Sequence, residues 1–99
     1  MNYRFHPAAE AEYLEQVAYY ESREPGLGVR FLEHFQKTLH AICDSPQQYP
    51  IERAPNIRRI RLRAFPFTVI YREHTTEIQV LAVAHYRRRP GYWRGRLAI

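Results

Sequence analysis

Apolar positions along the chain change period twice, and each change marks a different kind of element. Tyr3 and Phe5 alternate with Asn2, Arg4 and His6, which predicts a short opening strand. Pro7 suits the first turn of a helix, where a missing N–H costs nothing. Beyond it, at about 100° per residue, Pro7, Ala11, Leu14, Val17 and Ala18 share one side. Glu12, Gln16 and Arg23 take the other, with Tyr13 and Tyr20 bordering the apolar arc. This helix is expected to reach about Ser22, where Glu24-Pro25-Gly26 breaks it. A second helix follows, because Leu32, Phe35, Leu39 and Ile42 form a helical stripe that Phe31 and Leu27 widen. Glu33, Lys37 and His40 point away from it, and Asp44-Ser45-Pro46 ends it.

Residues 46–56, with Pro46, Pro50 and Pro55, read as an irregular connection. The period then drops to two. Ile60 and Leu62 face one way, while Arg59, Arg61 and Arg63 face the other. Ala64-Phe65-Pro66 turns the chain into a strand over residues 67–72, and residues 73–77 turn it again into a strand over 78–85. That last strand is apolar on both faces in its second half, as a central strand should be. Short links between successive strands imply an antiparallel meander. One helical turn is expected after Pro90. The fold class is therefore α+β: an N-terminal strand and a helical hairpin packed on a curved, mainly antiparallel four-stranded sheet, closed by a short C-terminal helical turn.

With 99 residues and no repeat, linker or low-complexity tract, one domain over 1–99 is expected. No apolar run approaches the roughly 20 residues of a membrane span. The N-terminus has no signal-peptide core. A lone cysteine, Cys43, allows no internal disulfide and suits a reducing cytoplasm. The net charge of +5 hides a split. Residues 1–50 carry seven acidic and four basic side chains, whereas residues 51–99 carry three acidic and eleven basic ones. All but Lys37 of the basic residues are arginine. Guanidinium binds phosphate or carboxylate through two parallel hydrogen bonds and stacks on rings, so the preference points to recognition of an anion. Arginine-favouring codon usage would give the same count.

Strand alternation in Arg59-Ile60-Arg61-Leu62-Arg63 sets three guanidiniums on one face at roughly 6.5–7 Å spacing. A polyanionic partner would relieve their repulsion, and an exposed edge strand guarding against aggregation would show the same row. The tail from Tyr86 to Arg96 interleaves Arg87, Arg88 and Arg89 with Tyr86, Tyr92 and Trp93. Such a stretch can combine phosphate pairing with base stacking. Trp93 alternatively folds back as a plug of the core, leaving the arginines solvated. His85, at the end of the last strand beside Arg87, is the one candidate acid–base group, against a plain structural histidine. Cys43 lies on the apolar arc of the second helix and reads as a structural thiol. His34 and His40 lie about 120° apart on that helix and cannot share a metal. No metal site, cofactor or phosphate-binding glycine loop is indicated.

The run Arg59-Ile60-Arg61-Leu62 through Phe65-Pro66-Phe67-Thr68-Val69-Ile70-Tyr71-Arg72, then residues 78–85 and Arg87-Arg88-Arg89-Pro90-Gly91-Tyr92-Trp93, resembles the RelE/ParE superfamily of type II toxin–antitoxin toxins. Within it the chain is most similar to the ParE-like, plasmid-stabilization branch. Tyr19-Tyr20, Gly28-Val29-Arg30-Phe31-Leu32 and residues 45–50 fit the same pattern. The resemblance implies two helices against an antiparallel sheet and a cognate antitoxin whose C-terminal segment neutralises the toxin. ParE-type members poison DNA gyrase by binding. The RelE branch instead cleaves messenger RNA on the ribosome. The resemblance puts that branch's basic positions at Arg59, Arg61 and Arg87. For such an activity Arg59 and Arg61 would clamp phosphate, Arg87 would stabilise the pentacoordinate transition state, and His85 or Tyr92 would handle protons. The branch's C-terminal tyrosine falls on Trp93 or Tyr92, and an indole cannot transfer a proton. Gyrase inhibition is therefore the leading expectation, a RelE-type ribonuclease the second, and a non-toxic nucleic-acid-binding module the third. Arg59, Arg61, Arg63, Arg87, Arg88, Arg89 and Trp93 are the candidate contacts to target or antitoxin. The charge of the second half itself calls for an acidic, amphipathic partner segment.

Overall fold

The structure, a computed structural model, describes residues 1–98; Ile99, the last residue of the expected tail, lies outside them. Strand β1 (Asn2–Phe5) leads into helix α1 (Pro7–Arg23) and helix α2 (Leu27–Asp44). Strands β2 (Ile51–Arg53), β3 (Ile57–Arg61), β4 (Phe67–His74) and β5 (Glu77–His85) follow, then a 3-10 helix (Arg94–Ala98). The sheet order is β1-β5-β4-β3-β2, antiparallel except that β1 runs parallel to β5. The α+β architecture is the expected one, with five strands rather than four. The extra strand, β2, falls inside residues 46–56, read above as irregular. Pro50 and Pro55 frame only three strand residues, too few for a period of two to show.

The helical hairpin covers one face of the sheet. Phe31, Phe35, Leu39 and Ile42 of α2 meet Leu62, Phe67, Val69, Tyr71, Ile78 and Val80 from the strands. The α2 stripe falls where its spacing put it. The face of α1 does not. Ala9, Tyr13, Val17 and Tyr20 turn inward, while Ala11, Ala18 and Leu14, 56% exposed, turn to solvent. Aromatic packing sets this rotation: Tyr13 lies 4.4 Å from Phe35, and Tyr20 lies 5.3 Å from Phe31, centroid to centroid. Two rings seven residues apart bury more apolar area than the alanines they displace, and burial scales with area. Close helix contact needs Gly28. A Cβ there would sit 2.6 Å from the Val17 carbonyl oxygen. The α2 N-terminus is capped across the turn by the Glu21 carboxylate, which accepts from the Gly26 and Gly28 N–H groups, each at 3.0 Å.

The C-terminal tail covers part of the opposite face. Trp93, 3% exposed, packs on Ile57, Ile70, Leu81 and Ala82, with Tyr92 and Leu97 beside it. A bulge explains how β5 serves both layers. Its pairing slips between Ile70 and Tyr71, which oppose Ala82 and Val80. Leu81 is thus the extra residue, and it joins Ala82 under the tail while Val80 and Val83 face the helices.

Candidate functional site

Beside the buried Trp93, the tail and strands β3, β4 and β5 enclose an open hollow of about 250 Å³. Alternation along β3 puts Ile57, Arg59 and Arg61 on the tail side, with Arg58 and Ile60 on the helix side. Arg59 and Arg61 line one wall of the hollow, and Arg88 and Arg89 line another. Thr68, Ile70, Ala84 and Trp93 contribute to its lining between them. One carboxylate, Glu52 of β2, also reaches it and pairs with Arg59 at 3.5 Å. Arg59 further donates to the Ile51 carbonyl at 3.0 Å. Two of the other guanidiniums lie against tyrosine rings. Arg61 sits 5.0 Å above Tyr86, and Arg88 sits 3.8 Å above Tyr92. A stacked guanidinium keeps its edge N–H groups free for an anion and loses less entropy on binding one.

Not every arginine of the expected row reaches this hollow. Arg63 lies beyond the end of β3, where the chain bends toward Phe65, and it lines a groove on the helix side instead. The two-residue alternation that aligned it with Arg59 and Arg61 stops with the strand. Arg87 is exposed and does not line the hollow. Trp93 does line it, but as the buried anchor of the tail. His85 borders the hollow, its Nδ1 accepting the Arg87 N–H at 3.0 Å and its ring set edge-on to Phe67.

Beneath the tail lies a network that sequence reasoning missed. Strand β1 stops where the His6 N–H donates to the Val80 carbonyl, so the edge of β5 beyond that point lacks a backbone partner from β1. Two side chains take its place. Arg96 donates to the Leu81 carbonyl at 2.9 Å, and the Val83 N–H donates to Glu12 at 3.0 Å. The two side chains also bind each other, Arg96 reaching both Glu12 oxygens at 3.0 and 2.9 Å. The Tyr92 hydroxyl adds a fourth hydrogen bond to Glu12 at 2.8 Å. Both charged side chains are about 15% exposed. Burial by itself would raise the Glu12 carboxyl, but hydrogen bonds from Arg96, Val83 and Tyr92 outweigh it and hold the group below its usual range. Burial, then donation to the Glu12 carboxylate, drives the Tyr92 hydroxyl far above its ordinary value.

The apolar periodicity of α1 puts Glu12 on its outer face, whereas the seven-residue spacing of Tyr13 and Tyr20 is the signal for the face that turns inward. Nothing local pairs Glu12 with Arg96, which lies 84 residues away. Arg72 ties down the end of the tail, donating to the Leu97 carbonyl at 3.1 Å and to the buried Gln79 at 2.9 Å. Cys43 is half-buried against the core, and burial pushes its thiol up. Among the described residues, no group of three His, Cys, Asp or Glu side chains could hold a metal ion. No helix there is long and apolar enough to cross a membrane.

Comparison with known proteins shows the family and the fold. A family model described as the ParE toxin of type II toxin–antitoxin systems, parDE, matches residues 3–90. A solved structure, described as the chromosomal ParDE toxin–antitoxin system from P. aeruginosa, superposes with a TM-score of 0.61 at 19% identity. That match covers 86% of this chain and 95% of the other. A search of curated proteins found no significant match.

Proposed function

Because the chain belongs to the ParE toxin family of type II toxin–antitoxin systems, we propose that it arrests growth by binding DNA gyrase and is held in check by a cognate antitoxin. The observation that carries this reading is the arginine-lined hollow. Among the described residues, four guanidiniums share it with one carboxylate, and two of them are fixed on tyrosine rings. Such a surface binds an anionic feature of a target without turnover. The cytoplasm, where gyrase works, is the matching compartment.

A ribonuclease would need proton-transfer groups at the hollow. The Tyr92 hydroxyl is committed to Glu12, and burial, then that bond, lowers its acidity. Nδ1 of His85 is taken by the Arg87 N–H. Trp93, at the remaining candidate position, is buried. These features favour inhibition by binding over catalysis. Purified protein added to gyrase and relaxed plasmid should block supercoiling and build up cleaved DNA, and induced cells should keep their transcripts intact. Undisturbed supercoiling, or messenger RNA cut during growth arrest, would end this reading.

A further inference from the structure

On the helix side of the sheet, α2 and the end of β3 frame a second groove of about 440 Å³. Its size lies within the ~300–1,000 Å³ of typical binding pockets, while the hollow falls below it. Ala41 and Ile60, both partly exposed, contribute carbon surface to the groove, over the buried Leu62. Lys37, Arg61 and Arg63 supply its charge, and among the described residues no carboxylate lines it. The hollow differs on that point, since Glu52 already occupies part of its field. We infer that this groove is the docking site for an acidic, amphipathic segment of the antitoxin, leaving the hollow to the target. The inference rests on the toxin–antitoxin reading above.

Charge complementarity selects both the occupant and the place. An amphipathic peptide lays apolar anchors into a carbon-lined groove and sets its carboxylates against flanking cations. Single-stranded nucleic acid would need a succession of open aromatic faces to stack on, whereas the groove offers Tyr49, half-buried against the core, and the imidazole of His34, set edge-on to Phe65. An exposed apolar stripe on α1, made by Ala11, Leu14 and Ala18, runs beside Glu10, Glu15 and Glu21. That face would repel an acidic segment. Arg61 borders both the groove and the hollow, so a segment seated in the groove ends next to the target-binding wall.

The test uses the full chain and, as probe, the purified antitoxin encoded by the adjacent reading frame, with affinity read by calorimetry. Lys37→Glu with Gln48→Glu places two negative charges on the groove walls at exposed positions. This variant should bind the antitoxin at least ~30-fold more weakly yet still arrest growth, now even when the antitoxin is co-expressed. Arg88→Glu with Arg89→Glu, confined to the hollow, should keep its antitoxin affinity within about threefold of the parent. Parent-like affinity of the groove variant would overturn the inference, as would a hollow variant that loses the antitoxin instead. Failure of the parent to bind that probe is a different result, and it would remove the antitoxin reading itself.

Discussion

Replacing Glu12 with alanine tests the joint between helix, bulged strand and tail. The substitution removes a bidentate ion pair with Arg96 and two further hydrogen bonds, from Val83 and Tyr92. Breaking a fully buried pair on one side costs about 3–5 kcal/mol, because the other charge stays behind unpaired. Here each partner keeps about 15% of its exposure, so water reaches the stranded guanidinium. Discounting for that screening, and adding back part of the cost of an unpaired Val83 N–H, leaves about 2–3 kcal/mol. In a chain this short that lowers the melting temperature by about 10–20 °C. Urea unfolding followed by far-UV circular dichroism gives the loss directly. Trp93, the sole tryptophan, reports the tail by its fluorescence, which should shift red as the indole becomes wet. Arg96→Ala should cost a similar amount, and the double variant much less than the sum. A loss below about 0.5 kcal/mol with an unshifted spectrum would show that the network does not hold the tail.

Other expectations follow from the same geometry. Trp93→Ala empties the tail's buried anchor and should cost about 3–5 kcal/mol by urea titration, with the 3-10 helix losing amide-exchange protection. Gly28→Ala puts a methyl group 2.6 Å from the Val17 carbonyl and should destabilise by about 1–3 kcal/mol through forced separation of the helices; an unchanged melting temperature would contradict that contact. Acid should loosen the tail. The folded Glu12 carboxyl lies below its ordinary value of 4.5, so its contribution is full above that value and fades as pH falls through the lower, folded one. Trp93 emission followed from pH 7 downward should show this loss, and Glu12→Gln should flatten the profile.

Legibility in the sequence tracked how local the determining interaction is. The α2 stripe, the alternation in β3 and the two-sided apolar run of β5 depend on neighbours within one turn or one strand, and their patterns were plain. The face of α1 depended on rings from α2, because Tyr13 and Tyr20 win the core positions over Ala11 and Leu14. Arg59 and Arg61 could be placed together because they share a strand, whereas Arg63 could not be placed without knowing where β3 stops. Glu12 and Arg96 meet only through the tertiary fold, across an edge that β1 leaves open. A charge on a helix reads as solvated until a distant partner is known.

The most direct measurement titrates purified protein against gyrase supercoiling, comparing the parent with Arg61→Glu combined with Arg88→Glu. These two guanidiniums stack on Tyr86 and Tyr92 at the hollow. Reversing both should raise the half-inhibitory concentration at least ~10-fold while leaving the melting temperature within a few degrees of the parent. Equal inhibition by parent and variant would contradict the claim that this hollow is where the toxin meets its target.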